Sequence, residues 1–186
     1  MDSVDWGAIN DKLPITKGKE GEQVRLKLFK QMDGNGNRYL SLAETDKGIR
    51  DVLNLDEEMF HCKQVIMRAF QAAKNKYKNK SKYGDDYIEF NEFRYFLIYL
   101  RQYFEYYVMF CILDTSGDHK IDFEEFKSAL PQIEKWGVKV ADPQAAFEQI
   151  SSGDGKIIFN EFAEWAIKAS LDLEDDEDMD ESEYLK

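Results

Sequence analysis

Apolar residues recur along much of the chain at spacings of three and four, the period of a helix that turns one face to a core. Tyr106, Met109, Phe110 and Leu113 form one such stripe and Phe126, Ala129, Leu130 and Ile133 another, on either side of a polar stretch at residues 114–125. Leu28, Phe29 and Met32 lead in the same way into residues 33–44, and Phe93, Phe96, Leu97 and Leu100 follow residues 81–92. A fourth related stretch covers residues 150–161. Helices alternating with twelve-residue polar loops, repeated about forty residues apart, predict an all-α chain of four helix–loop–helix units. One apolar residue stands inside each loop, and Leu40 is expected to meet Ile88 and Ile121 to meet Ile157 in short antiparallel β contacts. Each unit alone would leave an apolar face in water, and pairing the loops buries it.

The polar residues of the loops add chemistry to this pattern. A twelve-residue loop can wrap a hard cation with oxygens from positions 1, 3, 5, 7, 9 and 12, position 7 giving its carbonyl and position 12 a two-oxygen carboxylate. In residues 114–125 those positions are Asp114, Ser116, Asp118, Lys120, Asp122 and Glu125, a set suited to Ca2+. Position 6, where the backbone turns through positive φ and glycine is usual, is His119, a residue that enters that region more readily than most. Four carboxylates offset the strain, so this is the strongest expected site. An acidic surface turn between two helices is the plainer alternative, and Ile121, Glu125 and both apolar stripes in register argue against it.

The other three loops depart further from the pattern. Residues 33–44 place Asp33, Asn35, Asn37, the Tyr39 carbonyl, Ser41 and Glu44 at the ligand positions, with Arg38 at position 6. Two charged ligands and a strained turn predict a weaker calcium site, or a loop kept for packing. Residues 81–92 retain Ile88 and Glu92 but have Ser81 and Tyr83 at the first and third positions, after the basic run KNKYKNKSK, and are expected to serve pairing alone. In residues 150–161, Asp154, Gly155, Ile157 and Glu161 fit the pattern, yet position 1 falls on Ile150, or the loop has lost a residue and starts at Ser151. The first carboxylate is missing either way, so no high-affinity calcium is expected there, although a rearranged loop using backbone carbonyls is an alternative.

Organisation follows from the repeats: an N-terminal segment at 1–19 with a docked short helix, one pair of units at 20–100, a second at 101–171, and a tail at 172–186. Residues 93–110 carry four Phe and five Tyr and no Gly or Pro, so the two pairs are expected to form a compact arrangement without a flexible linker. Trp6, Ile9 and Leu13 lie at helical spacing and form a candidate lid over that aromatic stretch. The net charge is −12, of which the tail contributes nine acidic residues against one lysine. Such a tail is expected to be solvated, and the overall balance disfavours nucleic acid. Cys62 and Cys111 have no metal-type spacing and suggest reduced thiols in an intracellular protein. Neither a signal peptide nor a transmembrane run is evident. His61 and His119 sit in no catalytic grouping and no phosphate-binding glycine loop is present, so an enzyme is not expected.

Taken in order, several segments resemble the flagellar calcium-binding proteins, or calflagins, of the EF-hand superfamily. They are Trp6, Ile9, Leu13 and Pro14 near the start, LFKQMDGNG, LNLDE, RAFQAAK, IEFNEFR, VMF, FKSALP, and WGV at Trp136 to Val138. The resemblance implies four EF-hands in two pairs. It also implies a cytosolic calcium sensor of the flagellum or cilium that engages a protein or membrane-associated target when its calcium state changes, with a buffer or constitutive structural subunit as the alternative. Two departures limit the transfer. The chain begins Met1-Asp2-Ser3, without the Gly at position 2 that myristoylation requires. The family pattern also favours intact third and fourth loops, whereas here the third is intact and the fourth is not.

Overall fold

The computed structural model describes residues 4–53, 63–74 and 86–171. Ser81 and Tyr83, the basic run after Lys74, His61, Cys62 and the acidic tail lie outside the described residues. Helices dominate, as the apolar periodicity predicts: α1 (Trp6–Lys12), α2 (Lys19–Met32), α3 (Leu42–Asp51), α4 (Lys63–Lys74), α5 (Phe90–Leu113), α6 (Phe123–Ser128), α7 (Leu130–Lys135), α8 (Pro143–Ile150) and α9 (Phe159–Ala169). Two short strands, β1 (Tyr39–Leu40) and β2 (Ile88–Glu89), pair antiparallel with Leu40 opposite Ile88. Ile121 and Ile157 form the corresponding bridge, each N–H donating to the other's carbonyl at 2.9 and 2.8 Å. All four apolar residues are fully buried, which fixes the register at both pairings.

The chain divides into two units, Met1–Tyr107 and Val108–Lys186, the boundary falling inside α5. In the first, Phe29 meets Phe90 and Phe93 edge to face with ring centres 5.6 and 5.2 Å apart, and Phe93, Phe96, Leu97 and Leu100 are wholly buried. The N-terminal segment packs onto this core. Ile9 and Leu13 are buried, and the Trp6 ring lies 5.6 Å from that of Phe104 with the Arg101 guanidinium 5.5 Å above it. Three arginines clasp the segment further: Arg101 donates to Asn10 Oδ1, Arg94 to the Ile15 carbonyl at 2.7 Å, and Arg25 to the carbonyls of Pro14 and Thr16.

In the second unit Phe110 meets Phe159 and Phe162 at 5.9 Å, and Phe126 meets Phe147 and Trp165. One expectation needs correction here. The stripe Phe126, Ala129, Leu130 and Ile133 reads as a single helix, but the structure breaks it at Ala129 into α6 and α7. Pro131 sits in the first turn of α7, where it has no N–H to give the preceding turn and its ring would crowd a carbonyl one turn back. Phe126 and Ile133 are still fully buried, so both pieces keep their apolar faces inward.

Candidate metal centres

The first, third and fourth loops each begin where a helix ends. Asp33 donates its N–H to the Phe29 carbonyl at 2.8 Å, Asp114 to that of Phe110 at 2.9 Å and Ser151 to that of Phe147 at 2.9 Å, so these three residues hold the same place. The fourth loop therefore starts at Ser151 and is one residue short, which decides between the two alignments the sequence leaves open. Counted back from Glu161, its second half is regular: Asp154 Oδ1 accepts the Lys156 N–H and Glu161 Oε2 accepts the Ile158 N–H. The missing residue comes out of the first half, where the Ser151 hydroxyl is buried without a partner.

The first and third loops share one internal scaffold. Position 1 reaches across to the N–H of position 6: Asp33 Oδ2 accepts from Arg38 and Asp114 Oδ2 from His119, both at 2.9 Å. Arg38 and His119 have φ of 73° and 62°, the left-handed turn the sequence anticipates at position 6 despite the absence of glycine. Asn37 Oδ1 accepts the N–H of Tyr39, and Asp118 Oδ1 that of Lys120, each at 3.0 Å. These turns hold the N–H groups of Tyr39 and Lys120, the residues at position 7, within their own loops.

The last acid of every loop also caps the helix that follows. Glu44 Oε2 accepts from the Ser41 N–H and Glu125 Oε2 from the Asp122 N–H at 3.0 Å, while the Ser41 and Asp122 side chains accept in return. Glu89 to Glu92 repeats the first half of that exchange in the second loop at 2.9 Å. The free end of Glu125 differs from that of Glu44. Glu125 Oε1 accepts from the Ser116 N–H at 2.8 Å and the Thr115 hydroxyl at 3.1 Å, whereas Glu44 Oε1 takes the side-chain amide of Asn35 at 2.9 Å.

Electrostatics separate the loops as well. Burial acts to raise the Glu125 carboxyl, but the N–H groups of Asp122 and Ser116 and the Thr115 hydroxyl together hold it below its ordinary value. The Glu92 carboxyl is instead pushed up by burial, which the Glu89 N–H only partly offsets. Asp118 is lowered by the Lys156 ammonium, 3.0 Å from its Oδ2.

The donor set of residues 114–125 is carboxylate, hydroxyl and carbonyl oxygen, with no thiol or imidazole at a ligand position, and so fits a hard divalent ion. Asp114 is nine-tenths buried at the helix end, residues 115–120 are open to solvent, and Asp122 and Glu125 are partly covered. No three His, Cys, Asp or Glu side chains among the described residues are gathered tightly enough to ligate an ion as they stand. The loop carboxylates instead accept from their own backbone. The third loop carries Asp114, Ser116, Asp118, Lys120, Asp122 and Glu125 and the first Asp33, Asn35, Asn37, Tyr39, Ser41 and Glu44, but neither draws its carboxylates together around a common point. Thr115 and Lys156 are the additions sequence reading missed. Lys156 was within reach of it, as the residue preceding Ile157, whose pairing with Ile121 the pattern does predict.

Comparison with known proteins agrees with this architecture. The family model for the FCaBP EF-hand domain matches residues 9–100. The flagellar calcium-binding protein of Trypanosoma cruzi is 40% identical over 177 residues, spanning 93% of this chain and 83% of that protein. Flagellar calcium-binding protein TB-24 of Trypanosoma brucei brucei is 37% identical over 183 residues, spanning 96% of this chain and 83% of its own length. With this identity carried across nearly the whole chain, and with paired helix–loop–helix units in place, the chain belongs to the flagellar calcium-binding protein family of EF-hand proteins.

Proposed function

We propose that this protein binds calcium chiefly at residues 114–125 and more weakly at residues 33–44, and that it acts in the flagellum as a calcium sensor. The second and fourth loops serve as structural partners in their pairs. The observation that carries the reading is the position of Glu125. It is a ligand candidate and the third residue of α6 at once, so whatever holds its carboxylate also holds the helix that carries Phe126 into the core. In the third loop Asp114, Ser116, Asp118, the Lys120 carbonyl, Asp122 and Glu125 would hold the ion, which supplies concentrated positive charge and no redox chemistry. The first loop has two carboxylates for the same task against four in the third, which is why its affinity is expected to be lower.

The flagellar assignment rests on the names of the relatives. Among the described residues no helix is long and apolar enough to cross a membrane. A sensor must expose apolar surface that a partner binds better in one state than in the other, since equal affinity shifts nothing. A buffer would bind calcium without that change. Calorimetric titration of the full chain, Glu125→Gln and Glu44→Gln tests the sites: Glu125→Gln should remove the tighter event and Glu44→Gln the weaker. A calcium-dependent rise in apolar dye binding supports the sensor, and unchanged dye binding in a protein that still takes up calcium rejects it in favour of the buffer.

A further inference from the structure

The fourth loop has lost its first carboxylate and gained a cation directed at its neighbour. Lys156 Nζ lies 3.0 Å from Asp118 Oδ2, and Asp118 stands at position 5 of the third loop. The placement follows from backbone geometry. The Lys156 N–H is held by Asp154 Oδ1 at 3.1 Å, and the next residue, Ile157, is tied to Ile121 by two hydrogen bonds. The root of the lysine is therefore fixed relative to the third loop, and its ammonium interacts through charge with Asp122 and Glu125 as well as with Asp118. The first pair offers an instructive contrast. Tyr87 precedes Ile88 as Lys156 precedes Ile157, but it lays its ring against Tyr39 with centres 4.4 Å apart and brings no charge to the first loop.

We infer that Lys156 is a built-in counter-cation of the third loop, which competes with calcium for Asp118 and thereby sets the affinity of that site from the neighbouring hand. The fourth hand thus tunes its partner's site instead of adding a second one. This inference rests on residues 114–125 being the calcium site. An ion held there meets a positive charge a few ångströms from one of its ligands, and Asp118 must exchange the ammonium for the metal. Both side chains are about two-fifths exposed, so the lysine can swing away into water without disturbing the fold. A unit charge beside a divalent ion in such open surroundings is worth about three- to tenfold in affinity at low salt.

The test is calcium calorimetry on the full chain at about 20 mM and about 500 mM monovalent salt, conditions chosen to bracket the screening range. Wild type is compared with Lys156→Met, Lys156→Arg, Lys127→Met and Glu125→Gln. Lys156→Met should bind about three- to tenfold tighter at low salt, with the gain shrinking at high salt. Lys156→Arg, which keeps the charge, should stay near wild type. Lys127 is on α6 but is not part of this ion pair, and Lys127→Met should give a clearly smaller gain. Equal affinity in Lys156→Met and wild type, or equal gains from both methionine variants, overturns the inference while leaving the calcium site intact, provided Glu125→Gln abolishes the tight event. Unchanged binding in Glu125→Gln overturns the site assignment, and the role of Lys156 falls with it.

Discussion

Replacing Gly21 by alanine tests whether the N-terminal segment is an integral part of the first unit. Gly21 is the third residue of α2, and alanine at an ordinary helical glycine stabilises by up to about 1 kcal/mol. Here the added Cβ would stand 2.3 Å from the Thr16 carbonyl oxygen and 2.8 Å from Thr16 Oγ1. The nearest clash is with backbone, so the segment must move by about an ångström, a strain of the kind that costs about 1–3 kcal/mol in packed regions. That movement also pulls the Thr16 carbonyl away from Arg25, which donates to it at 2.6 Å and is only 7% exposed. Hydrogen bonds to charged groups contribute about 1.5–3 kcal/mol, and a buried guanidinium left short of acceptors costs at the upper end. The balance predicts a net destabilisation of about 2 kcal/mol or more. Urea unfolding followed by far-ultraviolet circular dichroism measures it, with Gly7→Ala as control. At Gly7 the new methyl meets only a side-chain oxygen of Asp5 at 3.3 Å, and a small gain is expected. Gly21→Ala unfolding at the same or a higher urea concentration than wild type would refute the clasp.

Two further predictions follow from the second unit and from the buried acids. Ile157→Ala removes a fully buried side chain at the bridge between loops and should cost about 2–5 kcal/mol in thermal unfolding, whereas Ile158→Ala, at a residue 40% exposed, should stay within about 0.5 kcal/mol. Comparable losses from both would mean the bridge residue is no more than a surface contact. With calcium chelated, Glu125 should titrate below the ordinary glutamate value and Glu92 above it. The Glu125 contribution to stability is accordingly complete above the ordinary value and lost as pH falls through its lowered folded value. For Glu92 the sign is opposite: its charged form is disfavoured in the fold, and stability is regained as pH falls from its raised folded value through the ordinary one. Carboxyl carbon shifts in a pH-dependent NMR series give both midpoints, and the reverse order would refute the assignment.

Much of this molecule was written in its local pattern. Helical apolar stripes, the twelve-residue oxygen spacing and the single apolar residue in each loop are short-range properties, and they sufficed to place the helices around the loops and to pair Leu40 with Ile88 and Ile121 with Ile157. They also named position 6 as the turn through positive φ at Arg38 and His119, because a chain that must close a ring in six residues has few backbone routes. Tertiary structure decided the remainder. Whether the fourth loop begins at Ile150 or Ser151 depends on where α8 stops, and that is set by how Phe147 and Ile150 bury. The break at Ala129 shows a proline overruling an apolar stripe that the helical period alone would continue. The clasp of Arg25, Arg94 and Arg101 on residues 10–16 and the reach of Lys156 to Asp118 join residues distant in sequence. Such contacts depend on the mutual placement of packed elements, which no local spacing encodes.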